Sequence, residues 1–242
     1  MFDKRRPLSY KEQKNQRHQL RWILLWFLVL FVIYNALTSF FFSMRVLEND
    51  TMQPGLRAGD RFIFSSYVVH SILADLNIPG ESTPFKRGNI VLIDMSRKNP
   101  PPLPTRLLDG VVRFFTAQRI SLVSGEDHFY VKRVIGLPGD EITMTNFVIR
   151  IRGKGSSYNL TEFELSERPY VPTIPQVPAL WDESIPFSGN MDRIILGDDE
   201  CFVLSDDRSN TNDSRTWGPV PVELVTGKAL FRYWPVTRLG RP

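Results

Sequence analysis

The hydrophobic pattern divides the chain into one long apolar segment near the N-terminus and a series of short apolar segments after it. Residues 22–42 contain no formally charged side chain. A helix of this length rises about 30 Å, which matches the hydrocarbon thickness of a bilayer. The sequence therefore predicts a tail at 1–21, a transmembrane helix at 22–42 and a separate folded domain at 43–242.

The charge distribution predicts how this segment is oriented. The tail carries seven basic and two acidic side chains, a net charge of +5, which leaves −1 for the rest of the 242 residues. Because positively charged flanks stay in the cytoplasm, we expect a cytoplasmic N-terminus and a folded domain on the outer, periplasmic side of the cell (inner) membrane. A cleaved signal peptide is the alternative, but the segment is long and ends in Phe40, Phe41 and Phe42 instead of a small-residue cleavage site.

Short apolar runs separated by turn residues predict a mostly β folded domain. Pro138 and Gly139 follow one such run and suit the centre of a type II turn. The candidate strands are 61–64, 90–93, 129–135, 141–151 and 200–204, with a last strand pair within 222–233.

Three stretches interrupt this strand pattern. Residues 68–76 are the only short helix that we expect in the folded domain. The proline-rich stretches 99–106 and 168–186 are expected to leave the sheet, because proline cannot continue a sheet interior. The second lies in a region of about 142–198 that we interpret as a variable insertion.

Composition and motif searches exclude several classes of function. The near-neutral folded domain argues against nucleic-acid binding, which needs a basic face. There is no His-Glu-x-x-His, Cys-x-x-Cys or phosphate-loop motif, so no metal or cofactor is implied. Cys201 lies in an apolar run and is interpreted as a buried structural thiol. The three histidines, His18, His70 and His128, are scattered and do not suggest a triad.

Three polar segments carry the candidate chemistry. They read TMQPGLRAGD at 51–60, YVKRVIGLPGD at 130–140 and DDRSNTNDSRTWG at 206–218. In order, they resemble the Ser-Met-x-Pro-Thr-Leu-x-x-Gly-Asp, Lys-Arg-(Val/Ile)-(Ile/Val)-Gly-x-Pro-Gly-Asp and Gly-Asp-Asn-Arg-Asp-Asn-Ser-x-Asp-Ser-Arg-x-Trp-Gly boxes of bacterial type I signal peptidases. The resemblance implies an antiparallel β catalytic domain and a Ser-Lys dyad that cleaves signal peptides from exported proteins. It also suggests the lipid bilayer and the protein export machinery as partners.

The resemblance makes Lys132 the general base and Thr51 the nucleophile. Burial of Lys132 in an apolar strand would favour the neutral amine, which can accept a proton from a hydroxyl. Thr51 stands where the family has serine, and its added methyl group restricts the side-chain torsion.

Further residues of the boxes are assigned supporting roles by the same resemblance. Asn49 takes the place of an oxyanion-stabilising serine, and Asp50 replaces a glycine beside it. Thr211 replaces the serine that orients the lysine, Asp213 and Arg215 match a supporting charge pair, and Asp206 is expected to pair with Arg133. Ser205, Asp207 and Ser209 depart from Gly, Asn and Asp.

An extended substrate would bind beside a strand, in shallow pockets. These pockets would be lined by Leu47, Met52, Leu56, Tyr130 and Val131, although each is equally compatible with core packing.

Two alternatives stay open at this point. The departures at positions 49–51 also fit a catalytically impaired paralogue with a binding or assembly role. A specialised maturation peptidase for pilus or conjugation proteins is the other alternative. A relationship to self-cleaving Ser-Lys repressors is disfavoured by the membrane segment.

Overall fold

The structure, a computed structural model, describes residues 10–40, 42–66, 85–95, 102–116, 122, 129–176 and 189–242. The helix expected at 68–76, the histidines His70 and His128 and the second half of the proline-rich stretch 168–186 lie outside these residues.

A long N-terminal helix, α1, covers Tyr10–Phe40. Its segment Arg17–Tyr34 has a mean hydropathy of 1.3 and no buried residue, so α1 is long and apolar enough to cross a membrane. The helix begins before the segment expected from the sequence and ends two residues earlier, because Phe42 starts the first strand, β1 (Phe42–Val46). The polar residues before Trp22 extend the helix without contributing to its apolar length.

Seven strands form a large antiparallel sheet in the order β1-β2-β11-β3-β4-β9-β10. Strands expected at 61–64, 90–93, 129–135 and 200–204 are all present, most of them one or two residues longer. The members after β1 are β2 (Arg61–Ser66), β3 (Ile90–Asp94), β4 (Phe129–Gly136), β9 (Glu200–Leu204), β10 (Val220–Pro221) and β11 (Val225–Trp234).

A smaller antiparallel sheet follows β4 in the chain and has the order β7-β6-β5-β8. Its described strands lie at 141–161 and 191–195, within or next to the range that we interpreted as a variable insertion. The turn before it has the expected form, because Gly139 has a φ of +79° and Asp140 N–H donates to the Leu137 carbonyl at 3.1 Å. Its strands are β5 (Glu141–Thr145), β6 (Val148–Arg152), β7 (Leu160–Thr161) and β8 (Met191–Ile195).

Two strand predictions were wrong in detail. The stretch 141–151 is a hairpin and not one strand, because Asn146 and Phe147 turn the chain with φ values of 51° and 62°. The expected strand pair in 222–233 is a short 3-10 helix, Val222–Leu224, followed by the single strand β11. Register shifts between Ala229 and Phe231 interrupt the ladder of β11 with β2, which gives this strand the irregular pattern that we interpreted as two strands.

The prediction that 68–76 is the only short helix was also wrong. Helix α2 covers Leu103–Phe115, and two one-turn helices, α3 (Glu162–Leu165) and α4 (Ser214–Trp217), flank the smaller sheet and β10. We expected residues 99–106 to leave the sheet as an irregular stretch because of their prolines. Pro104 instead occupies the first turn of α2, where its missing N–H leaves no hydrogen bond unmade.

The two faces of β4 contact different hydrophobic clusters. Tyr130 and Val134 belong to a cluster with Val91, Ile93 and Val203. Val131 packs on the opposite face, in a cluster formed by Leu47, Met52, Leu56, Phe62, Phe64, Ile90, Leu92 and Ala229. Because side chains alternate along a strand, Lys132 projects to the side of Tyr130 and Val134. A third cluster joins β4 and β9 to the smaller sheet.

Candidate active site

Lys132 lies in the middle of the large sheet, on a strand paired on both sides. Its Cα is paired with that of Val91 in β3. On the other side, β4 pairs with β9 through Arg133↔Leu204 and Val134↔Val203. Continuing this antiparallel register places Lys132 opposite Ser205, and Lys132 Nζ donates a hydrogen bond to Ser205 Oγ at 2.8 Å. The contact is therefore a cross-strand pair at the end of β9.

The environment of Lys132 favours the neutral amine. The residue is 1% exposed, and burial lowers the pKa of its ammonium group from 10.5 to about 8. The nearby Asp213 and Asp206 carboxylates raise this pKa and the Arg215 guanidinium lowers it, but burial is the largest influence. An appreciable fraction of Lys132 is thus uncharged near neutral pH, and this fraction can accept a proton.

Thr51 lies in the loop between β1 and β2 and is 8% exposed. The loop is held by Met52, whose side chain is fully buried. Thr51 Oγ1 donates to Asn49 Oδ1 at 2.8 Å, and the Thr51 carbonyl accepts from Asp207 N–H at 3.0 Å. The backbone contact joins the first motif to the third, two residues after Ser205.

Within the described chain, Thr51 and Lys132 are not hydrogen-bonded to one another. The Thr51 hydroxyl is bound to Asn49 and the Lys132 amine to Ser205. The Lys132 side chain and the Thr51 backbone carbonyl contact the same segment, 205–207, but the Thr51 hydroxyl and the Lys132 amine have different partners.

Asn49 and Asp50 are exposed, and each accepts a hydrogen bond within the loop. Asn49 Oδ1 faces the Thr51 hydroxyl, so its amide N–H groups remain as the donors. Asp50 Oδ1 accepts from Ala58 N–H at 2.9 Å. This hydrogen bond, followed by one from Gln53, lowers the pKa of Asp50. The extra carboxylate therefore serves to fold the loop.

Two buried ion pairs support the segment that faces Lys132. Arg133 binds both carboxylate oxygens of Asp206 at 2.7 and 2.6 Å, which is the pairing expected from the sequence. Arg215 contacts Asp213 at 2.7 Å, and Asp213 in turn accepts from Ser205 N–H at 2.9 Å. Burial is the largest single influence on Asp213 and opposes its ionisation. The hydrogen bonds and charge of Arg215, together with the hydrogen bond from Ser205 N–H, outweigh it, so the pKa of Asp213 is lowered. These bonds fix the backbone that presents Ser205.

Comparison with known proteins shows to which family the chain belongs. The model of the family "Signal peptidase, peptidase S26" matches residues 19–234. The chain belongs to the peptidase S26 family of signal peptidases.

Several curated relatives have similar lengths. The chain is 30% identical to Signal peptidase I of Bacillus caldolyticus over 225 residues, covering 93% of this chain and 94% of the relative. It is 28% identical to Signal peptidase I of Leptolyngbya laminosa over 210 residues, covering 86% and 77%. Identity to Signal peptidase IB of Staphylococcus aureus is 24% over 223 residues, covering 91% and 92%. Family membership makes this chain a serine-type endopeptidase that processes signal peptides, and α1 makes it a membrane-anchored one.

Two assignments taken from the signal peptidase motifs differ from the structure. We expected Thr211 to orient Lys132, but the hydroxyl that contacts the lysine is that of Ser205. The Thr211 carbonyl instead accepts from Thr216 Oγ1 at 2.5 Å. In the sequence, Ser205 stands out only as a departure from the glycine of the family motif, and this departure is the signal that could have identified it. A serine in place of glycine adds a hydroxyl where the register brings β9 beside Lys132.

The expected substrate pocket is also arranged differently. Leu47, Met52 and Leu56 are at most 4% exposed and pack with Val131 on one face of the sheet. Tyr130 lies on the other face, where its ring meets that of Trp217 edge-on at 4.9 Å between centroids. These five residues therefore do not share one pocket.

A groove of about 950 Å³ lies on the face opposite Lys132. Neither Lys132 nor Thr51 lines it, whereas the first and third motifs meet at its edge through Gly55 and Asp206. Its other wall includes Tyr170, whose ring stacks under the Arg133 guanidinium at 4.0 Å. The groove is thus adjacent to the boxes but separate from the amine.

The extended segment around Thr173 is a structural element that the sequence did not reveal. Thr173 N–H donates to the Asp206 carbonyl at 2.9 Å, and Arg208 N–H donates to the Thr173 carbonyl at 2.8 Å. Fully buried Arg208 also binds Glu162 at 2.6 Å. Part of the proline-rich stretch therefore pairs directly with the third motif and stiffens it.

The cysteine and possible metal ligands were the remaining candidates for chemistry. Cys201 is buried, its Sγ donates to the Val220 carbonyl at 3.3 Å, and burial raises its pKa to about 12, so the thiol is inert. Among the described residues, no group of three or more His, Cys, Asp and Glu side chains is suited to hold a metal ion.

Proposed function

We propose that this peptidase removes signal peptides from exported proteins with Thr51 as nucleophile and Lys132 as general base. The observation that carries the proposal is the buried Lys132 amine, whose pKa is lowered to about 8 beside a loop segment that also contacts Thr51. A lysine in this state accepts a hydroxyl proton, which a surface lysine near its usual pKa does poorly.

The proposed reaction begins with attack of Thr51 Oγ1 on the carbonyl carbon of the scissile peptide bond. The hydroxyl proton passes to Lys132 Nζ, and an Asn49 amide N–H stabilises the oxyanion. The tetrahedral intermediate expels the amine of the mature protein, which takes the proton from Lys132. A water molecule deprotonated by Lys132 then hydrolyses the threonyl ester and restores the hydroxyl.

This sequence requires one local change from the structure described above. The Thr51 hydroxyl must leave Asn49 and reach Lys132, and we propose that a rotation about χ1 and a movement of the loop bring it there. Catalytic hydrogen bonds commonly tighten only when substrate is bound. Ser205, which contacts Lys132 now, holds the amine in position and does not attack, because Ser205 is 0% exposed.

We further propose that the N-terminal tail is cytoplasmic and that the domain after α1 acts on the outer side of the membrane. The support is the net charge of +5 on residues 1–21 beside the apolar helix. Substrates would arrive as the export machinery delivers them across the same membrane.

The departures at positions 49–51 favour one second candidate, a catalytically impaired paralogue that binds signal peptides. Full-length protein in detergent should be incubated with a preprotein, and the new N-terminus should be sequenced. Our proposal expects cleavage by the parent, loss of cleavage in Thr51→Ala, and cleavage retained in the matched control Thr211→Ala.

Two outcomes would reject the threonine dyad in different ways. Cleavage only by Thr51→Ser would identify an impaired paralogue. Cleavage that persists in Thr51→Ala but disappears in Ser205→Ala would move the nucleophile to Ser205.

A further inference from the structure

Helix α2 exposes apolar side chains on one face of the molecule. Leu108, Val111 and Phe115 are 60%, 41% and 73% exposed. Their spacing of three and four residues places them on one stripe of the helix. A stripe of Leu, Val and Phe that faces outward is unusual for a helix in contact with water.

The polarity of α2 is inverted on its inner side as well. Asp109 is only 8% exposed, and its Oδ1 accepts from Leu122 N–H at 2.6 Å. Val112 and Thr116, three and seven residues after Asp109, are also partly buried. The helix is therefore docked on the protein through a face that contains a carboxylate, while the side chains of Leu108, Val111 and Phe115 point away.

The position of α2 identifies what covers this stripe. Helix α2 contacts α1, the helix that is long and apolar enough to cross a membrane. The same anchor helix also contacts β1. A helix held beside the membrane anchor, with its apolar side outward, has the placement and polarity of a helix lying in the bilayer interface.

We propose that α2 is an in-plane membrane helix whose Leu108, Val111 and Phe115 stripe inserts into the lipid interface beside α1. The occupant of the stripe is lipid of the same bilayer that α1 crosses. This second contact, together with α1, would fix the tilt of the catalytic domain at the membrane. The inference goes beyond the proposed dyad and does not depend on Thr51 being the nucleophile.

Site-specific probes on the full-length chain test the proposal. Cys201 is replaced by alanine so that no other thiol is labelled, although its burial already makes labelling slow. A small fluorophore is then attached to Val111→Cys, with Tyr158→Cys as the matched control, because Tyr158 is 76% exposed on a loop of the smaller sheet. Both proteins are reconstituted in phospholipid vesicles.

The proposal expects spin-labelled lipid to quench the probe at 111 several-fold more strongly than the probe at 158. Aqueous iodide should show the reverse order. Equal access of iodide to both positions would overturn the proposal. The same probe should also be measured in detergent at several protein concentrations. Protection of position 111 from iodide that increases with protein concentration would overturn the proposal, since a second copy of the chain would then cover the stripe.

A second variant guards against an effect of the probe itself. With the fluorophore at Phe115→Cys, the double change Leu108→Ser and Val111→Ser should remove most lipid quenching. The thermal unfolding midpoint in detergent should stay unchanged, because both side chains point outward. Unchanged lipid quenching in the double variant would contradict insertion through this stripe.

Discussion

The two sides of the candidate dyad are built in different ways. The side of Lys132 is a buried strand whose surroundings are fixed by the ion pairs Arg133–Asp206 and Asp213–Arg215. The side of Thr51 is a loop whose exposed residues Asn49 and Asp50 are bonded mainly to neighbours in sequence. The amine of the base is therefore positioned by long-range packing, whereas the hydroxyl of the nucleophile is positioned by a local hydrogen bond to Asn49 that can be exchanged.

The largest expected effect comes from removing the base. Lys132→Met keeps the length and apolar packing of the side chain but abolishes the amine. We expect preprotein cleavage, measured as kcat/KM, to fall by about 10²–10⁴-fold. The matched control is Lys154→Met, which removes an exposed lysine bound to Asp198. Equal loss in both variants would contradict a specific role of Lys132.

Breaking a buried pair on the base side should lower stability strongly. Arg133→Met leaves the Asp206 carboxylate buried without its partner, which typically costs about 3–5 kcal/mol of unfolding free energy. Asp50→Asn on the nucleophile side should hardly change the unfolding midpoint, because position 50 is exposed and Asn keeps an oxygen that can accept from Ala58 N–H. Urea denaturation measures both. A similar loss in the two variants would remove the contrast between the regions.

Substitutions of Asn49 test the role of the loop that carries Thr51. Asn49→Asp keeps an oxygen that accepts from Thr51 but replaces the amide donor with a carboxylate. If Asn49 stabilises the oxyanion, kcat should fall by about 10²–10³-fold. Asn49→Ser, which restores the residue of the family motif, should retain most activity because a hydroxyl also donates. Full activity of Asn49→Asp would exclude the oxyanion role.

The lowered pKa of Lys132 predicts a specific pH dependence. Cleavage should rise with pH and level off above about 8, the pKa of the amine in the folded protein. Stability follows the same sign. The Lys132 amine keeps its proton up to about pH 10.5 in the unfolded chain but only up to about pH 8 in the folded chain. The unfolding free energy should therefore rise as the pH increases from about 8 to 10.5. Lys132→Met should lose this increment, and an identical pH profile for both proteins would contradict the shift.

The smallest effect is expected at the hydroxyl that positions the amine. Ser205→Ala should lower kcat by about fivefold with little change in KM, since one neutral hydrogen bond contributes about 1 kcal/mol. Ser205→Thr should restore part of the rate, and Thr211→Ala should change it less than Ser205→Ala. A larger loss in Thr211→Ala would return the orienting role to Thr211.

Strand positions were predicted well because they depend on local sequence: short apolar runs mark the strands, and turn residues mark their ends. The exact match at Glu200–Leu204 and the turn at Pro138-Gly139 are examples. Register was not predictable in this way. Ser205 meets Lys132 only because β9 pairs with β4 in one particular alignment, and that alignment is set by the clusters packed on both faces.

The errors at helices have a similar cause. Prolines before α2 were interpreted as evidence against regular structure, although the first turn of a helix accepts them. The hairpin at Asn146 and Phe147 was missed for another reason. Phe147 is buried and has a positive φ, which aromatic residues seldom adopt, so its residue type does not indicate a turn.

The acyl-enzyme tests the threonine–lysine dyad most directly. A preprotein or signal-sequence peptide is mixed with the full-length protein, the reaction is quenched in acid, and the modified residue is located by mass spectrometry of proteolytic fragments. The account predicts an ester on Thr51 that accumulates in the parent and is absent from Lys132→Met. An ester on Ser205, or turnover with no modification of Thr51, would contradict it.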